Sequence, residues 1–167
     1  MLSENRAGRF FRDMAVPSVE EFRSMQYDRR LACLAAIMVV HVADHIVSAD
    51  AEIPPNRIMN VQQKLSCQFS KSCTAFSICR DISNSSKHGR GKKVRNHLQD
   101  YWDVKQDRPG FFEAAMGQGS FANQIKLIVD TPTGPQFVID ILDEALVMLK
   151  AELALRTCKM PRHDPEI

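Results

Sequence analysis

The sequence predicts a mainly α-helical bundle carrying a small antiparallel β appendage. Apolar residues recur at helical spacing over three long stretches, as in Ile58, Val61, Leu65 and Phe69. Leu31 to Val47 is apolar at nearly every position, which predicts a central helix covered on several sides. Between Asn123 and Val138, two β-rich runs flank Thr131-Pro132-Thr133-Gly134, a turn sequence that joins antiparallel strands.

Reading from the N-terminus, Met1 to Val16 is polar around Phe10 and Phe11 and predicts a short helix or arm docked by those aromatics. Pro17-Ser18 supplies a start signal, because Ser18 stands three residues before Glu21 in the spacing of a capping box. The following helical pattern breaks near Asp28 and stops at Asp50 to Pro55. A helix over Asn56–Phe69 begins behind an asparagine cap, Ser70 to Ser72 interrupts it, and the next runs from Cys73 to Lys87 before Gly89. Gln124–Val129 and Gln136–Ile139 read as a hairpin, with Phe111–Met116 as a third strand. Asp140 to Arg156 forms the last helix, with Ile141, Leu142, Ala145, Leu149 and Leu153 facing inward. Residues 1–156 are thus read as one domain with its β appendage at about 111–139, followed by a flexible tail over 157–167.

A chain of 167 residues, 44% hydrophobic and 25% charged, buries a sizeable core. Leu31–Val40, the longest apolar run, is half of what a membrane span needs, and residues 1–13 carry charge throughout. No membrane partner and a cytoplasmic location are the expectation. The five cysteines contain no Cys-x-x-Cys pair, and Cys67, Cys73 and Cys79 read as small buried hydrophobes. Charge is uneven: residues 71–97 hold seven Lys or Arg against one acid, Asp81. Within that segment Arg90, Lys92, Lys93 and Arg95 form a basic glycine-flanked loop suited to a polyanion, with RNA as the candidate partner. Tyr101 and Trp102 lie shortly beyond.

The most informative stretch is Arg80-Asp81-Ile82-Ser83-Asn84-Ser85-Ser86-Lys87-His88. Asp81, Asn84 and His88 stand at i, i+3 and i+7, so a carboxylate, an amide and an imidazole share one helix face. On the central helix, His41 and His45 are an i, i+4 pair able to clamp a metal, with Asp44 alongside; the alternative is a pair of core or interface histidines satisfied by that carboxylate. Asp44 in an apolar helix needs a cationic or donor partner, for which Lys87 or His88 is the natural candidate. No nucleophile elbow, phosphate loop or dinucleotide fingerprint occurs, and no cofactor is implied.

A His-x-x-Asp helix followed, after one helix, by Asp-Ile-Ser-Asn-Ser-Ser-Lys-His resembles bacterial helical proteins with an Asp-Ile-Ala-Asn-x-Ser-Lys-His signature, a set similar to the HEPN superfamily. The resemblance covers roughly Leu31 to His88, and it implies a helical bundle, usually dimeric. Active members are metal-independent ribonucleases that use an Arg, a polar residue and a His four to six residues beyond the Arg. Carried over, these roles fall on Arg80, Asn84 and His88. Seven residues separate Arg80 from His88, one more than the pattern, and Asp81 opposes a phosphate-binding role. The leading expectation is therefore a non-enzymatic or degenerate dimeric module in which Asp44, Asp81, Asn84, Lys87 and His88 form a polar network or ligand pocket. A ribonuclease with a displaced motif and a metal-binding bundle are the alternatives.

Overall fold

The computed structural model describes residues 6–88, 98, 100, 103–107 and 125–159. Among the described residues six α-helices surround an apolar core, with a three-stranded antiparallel sheet before the last of them. Sequence periodicity thus identifies the mainly α class correctly, while several boundaries differ for identifiable reasons.

The N-terminal segment is one continuous helical rod in three parts: α1 (Arg6–Phe10), a π-helical turn (Phe11–Ala15) and α2 (Val16–Ser24). Phe10, Ala15 and Val16 all keep right-handed helical torsions, and the Val16 N–H bonds to the Phe11 carbonyl five residues back. The cause lies at Pro17, whose ring lacks an N–H and crowds the carbonyl four residues earlier. A widened π turn just before it lets the rod pass the proline without breaking. Ser18 is consequently an interior residue rather than the expected cap, and the Ser18–Glu21 capping box does not form. Phe10 and Phe11 do pack against the core as the docking expectation requires.

The rod ends at Ser24, and Asp28 starts the next helix. Its carboxylate accepts the Arg30 N–H at 2.8 Å and the Leu31 N–H at 3.2 Å, capping α3 (Arg29–Ser48). α3 buries ten residues, four of them alanines, and packs against α1, α2, α4, α5 and α6. By length and composition it could cross a bilayer, with mean hydropathy 1.9, but 56% of that window is buried within the protein, as in a core helix.

A short 3-10 turn (Pro55–Arg57) leads into α4 (Ile58–Ser72), so Asn56 lies inside the turn and does not cap; Arg57 occupies the cap position without a side-chain bond. α4 turns a narrow apolar row inward, Leu65 and Phe69 fully and Ile58 and Val61 partly. The expected break at residues 70–72 contracts to one extended residue, Cys73, whose thiol accepts the Phe76 N–H at 3.4 Å. α5 (Thr74–His88) follows and packs against α3, α4 and α6.

The sheet pairs β1 (Val104–Asp107) with β2 (Lys126–Thr131), and β2 with β3 (Gly134–Phe137). Val104 faces Val129, and Ile128 faces Phe137. The third strand is therefore at 104–107, and the appendage begins earlier than 111; Phe111–Met116 lies outside the described residues. Pro132 and Thr133 make the tight turn, and Gly134 takes a φ of 117°, a region that L side chains avoid. An added Cβ there would meet nothing within 4 Å, so the glycine is required by torsion, not space. Val138 and Ile139 open α6 (Val138–Lys159) instead of finishing a strand, and Thr157 to Lys159 continue that helix where a tail was expected. The Leu127 N–H bonds to the Gln26 carbonyl at 3.0 Å, fastening the sheet to the α2–α3 turn.

Asp28→Ala removes both cap bonds of α3 and is expected to cost about 1 kcal/mol. Urea unfolding checks this, with the midpoint falling and the slope unchanged.

Candidate functional site

α3 and α5 form the most extensive helix contact among the described residues, and their polar positions meet where α5 ends. There the Lys87 ammonium lies 3.3 Å from His41 Nε2, and the same Nε2 is 4.0 Å from Asp44 Oδ2. The imidazole thus stands between the two charges that sequence reasoning paired directly. An ammonium has donors only, so Nε2 must accept, and the proton of the neutral ring sits on Nδ1. In that form the ring has no N–H for Asp44. Protonation at Nε2 would expel Lys87 and give the ring a donor for the carboxylate.

Electrostatics follow this geometry. Burial, and then Lys87, hold the His41 pKa below its ordinary value, against the opposing pull of Asp44. Burial raises Asp44 above the usual carboxylate value, while His41, Lys87 and His45 act to lower it. The side chains of His41 and Asp44 are 36% and 40% exposed, so neither is a sealed charge with a large desolvation cost. From α4, the Gln62 amide donates to the Asp44 carbonyl at 3.4 Å and to Ser48 Oγ at 3.3 Å, joining a third helix to the site.

His45 has a different environment. Its ring stacks on Phe10 with centroids 3.8 Å apart and planes at 21°. Among the described residues its buried Nδ1 has no hydrogen-bond partner, and burial followed by the nearby Arg6 lowers its pKa. Because His41 engages α5 and His45 engages α1, the i, i+4 pair does not converge on a shared ligand. Among the described residues no group of three His, Cys, Asp or Glu side chains is placed to hold a metal. The ammonium at His41 would further oppose a cation.

Arg80 was the expected phosphate clamp. Its guanidinium instead reaches α4, donating to Ser70 Oγ at 3.2 Å and contacting Cys67 Sγ at 3.7 Å. An eight-residue separation on one helix amounts to about 12 Å of rise and roughly 80° of rotation relative to position 88. Asn84 is half-buried, and Asp81 is buried at 7% exposure. The side chain of His88 lies outside the described residues, as do Arg90, Lys92, Lys93, Arg95, Tyr101 and Trp102. Cys33, Cys73 and Cys79 are buried, whereas Cys67 is half-exposed beside Arg80. Desolvation pushes the Cys33 thiol up to about 11, so it stays protonated at neutral pH.

Sequence reasoning missed Gln62 and the Arg80 anchors, Cys67 and Ser70. The signal for them was the polar face of α4 at the helical period. Compared with protein-family models, curated proteins and solved structures, the chain matches none.

Two outcomes are expected. Lys87→Met removes a positive neighbour, so the His41 pKa should rise toward its ordinary value, as followed by imidazole proton shifts in an NMR titration. Stability should also depend on pH. Histidines with lowered folded values bind fewer protons when folded, so their stabilisation is complete above about 6.5 and fades as pH falls through that value. Asp44 acts in a lower window and with opposite sign, since its folded value is raised. The melting temperature should therefore drop between pH 7.5 and 5.5, and the His41→Asn, His45→Phe double variant should flatten that decline.

Proposed function

We propose that this chain is a non-enzymatic HEPN-like helical module that works as a homodimer, with the His41–Asp44–Lys87 cluster as a polar pocket between helices. The observation carrying this reading is the placement of Arg80. A guanidinium engaged with Cys67 and Ser70 on α4 is directed away from the α3–α5 cluster, which leaves a His88-centred reaction without its phosphate clamp. The exposed Lys87 ammonium and the Asp44 carboxylate, 40% exposed, are the donor and the acceptor that this cluster offers a small polar ligand.

Self-association is supported by α6 rather than by the central helix. α3 is largely covered by its neighbours, with Leu34 exposed at 39%, whereas α6 exposes Val147 at 70% and Leu155 at 60%, with exposed Ala151 and Ala154 beside them. An uncovered apolar row on a 22-residue helix suits a second copy of itself across a two-fold axis.

A ribonuclease assay with a His88→Ala control decides between the readings. The module predicts no His88-dependent cleavage, while a general acid or base would lose about 10²- to 10⁴-fold in rate on that substitution. Light scattering checks the dimer: the parent should run at twice 18.9 kDa and a Val147→Glu, Leu155→Glu variant at 18.9 kDa.

A further inference from the structure

The longest stretch without a carboxylate among the described residues runs from Ile53 to Arg80, and it contains Arg57, Lys64, Lys71 and Arg80. α4 occupies its middle. The Ile58, Val61, Leu65 and Phe69 row turns inward, and on the opposite side of the helix Asn60, Gln63, Lys64, Gln68 and Lys71 are exposed. Asn60, Gln63, Lys64, Cys67, Gln68 and Lys71 recur there at i, i+3, i+4, i+7, i+8 and i+11, and they line a concavity of about 580 Å³. Every one of these side chains can donate a hydrogen bond, and none carries negative charge.

Arg80 adds to this surface from α5. Arg12, Arg23 and Arg156 each meet a carboxylate, at 2.8, 2.5 and 2.7 Å. Among the described residues the half-buried Arg80 meets neutral acceptors, Ser70 Oγ and Cys67 Sγ, and Cys67 itself lines the concavity. Its charge is oriented by α4 without being compensated there. An oriented guanidinium next to two lysines and three amides calls for an anion.

The same face also selects the kind of anion. Among its described lining residues no aromatic side chain is present to stack on a base. Met59, 81% exposed, stands on the face with Gln63 and Cys67 at i, i+4 and i+8, offering a flexible apolar contact at its edge. Cations, amides and one exposed methionine along a single helix complement an acidic peptide with an apolar anchor.

We propose that the outer face of α4 is a docking groove for an acidic segment of a partner protein, in which Lys64, Lys71 and Arg80 meet carboxylates and Gln63 and Gln68 bond to the peptide backbone. The groove is distinct from the His41–Lys87 pocket and does not depend on it.

Fluorescence anisotropy with a labelled oligoglutamate peptide carrying one methionine tests this, alongside an oligouridylate of equal charge. The full chain should bind the peptide at low salt, more weakly as salt rises, and more tightly than it binds the oligonucleotide. Lys64→Glu with Lys71→Glu should weaken the peptide complex about tenfold or more, whereas Lys150→Glu on exposed α6 should not. Should the reversed variant lose helicity by circular dichroism, Lys64→Gln with Lys71→Gln takes its place and should weaken binding in the same direction. Absence of peptide binding at low salt, equal losses from Lys150→Glu, or tighter binding of the oligonucleotide would overturn the proposal.

Discussion

The close packing of α5 against α3 is the constraint on which the rest of the structure depends. α5 buries an unusually wide arc, with Ala75, Phe76, Ser77, Ile78, Cys79, Asp81, Ile82, Ser83 and Ser85 all at 7% exposure or less. Such coverage requires small residues where helices approach, and both partners supply them. α3 contributes Ala32, Ala35, Ala36 and Ala43, and α5 contributes serines. Ser85 Oγ donates to the Ile82 carbonyl at 2.9 Å, so its hydroxyl is satisfied within its own helix and needs no partner across the interface. Phe76, Ile78 and Ile82 provide the bulk that α4 and α6 close over, and an edge-to-face contact of Phe69 with Phe76 fixes α4 at 5.5 Å between centroids.

This packing also determines the chemistry of the polar end. Once α5 is seated, Lys87 arrives at His41 and adds to the burial that disfavours its charged form, and His41 Nε2 contacts both the ammonium and Asp44. On the other side of α3, the N-terminal rod must pass Pro17 and still bring Phe10 onto His45. The π turn accommodates the proline by widening the rod locally while its flanking residues keep helical torsions. Both histidines are thereby held in surroundings that disfavour their charged forms, by burial aided by a cation from a different neighbouring helix in each case.

Where apolar periodicity dominated, the sequence was a reliable guide: the α3 core, the inward row of α4 and the buried side of α6 follow from spacing alone. Local punctuation was less reliable. Pro17-Ser18 is a sound start signal, yet it was overridden because tertiary packing of Phe10 and Ala15 favours helix on both sides of the proline. β1 went unrecognised because Val-Lys-Gln-Asp buries only Val104 and becomes a strand through pairing with β2, a non-local cause. In the site, the sequence reading pairs Asp44 with Lys87 or His88, whereas the contacts run from Lys87 to His41 and from His41 to Asp44. The order in which they touch depends on the crossing of α3 and α5, and the direction taken by Arg80 depends on where α4 lies, neither of which a single-helix pattern encodes.

Native-state hydrogen exchange measures the central claim most directly. If the α3–α5 contact organises the fold, amides of Val39, Val42, Ile78 and Ile82 should exchange only with global unfolding, and at one common free energy. The sheet amides of β1 should open at lower cost. Exchange of the α5 amides well before those of α3, or protection centred on α6 instead, would contradict this account.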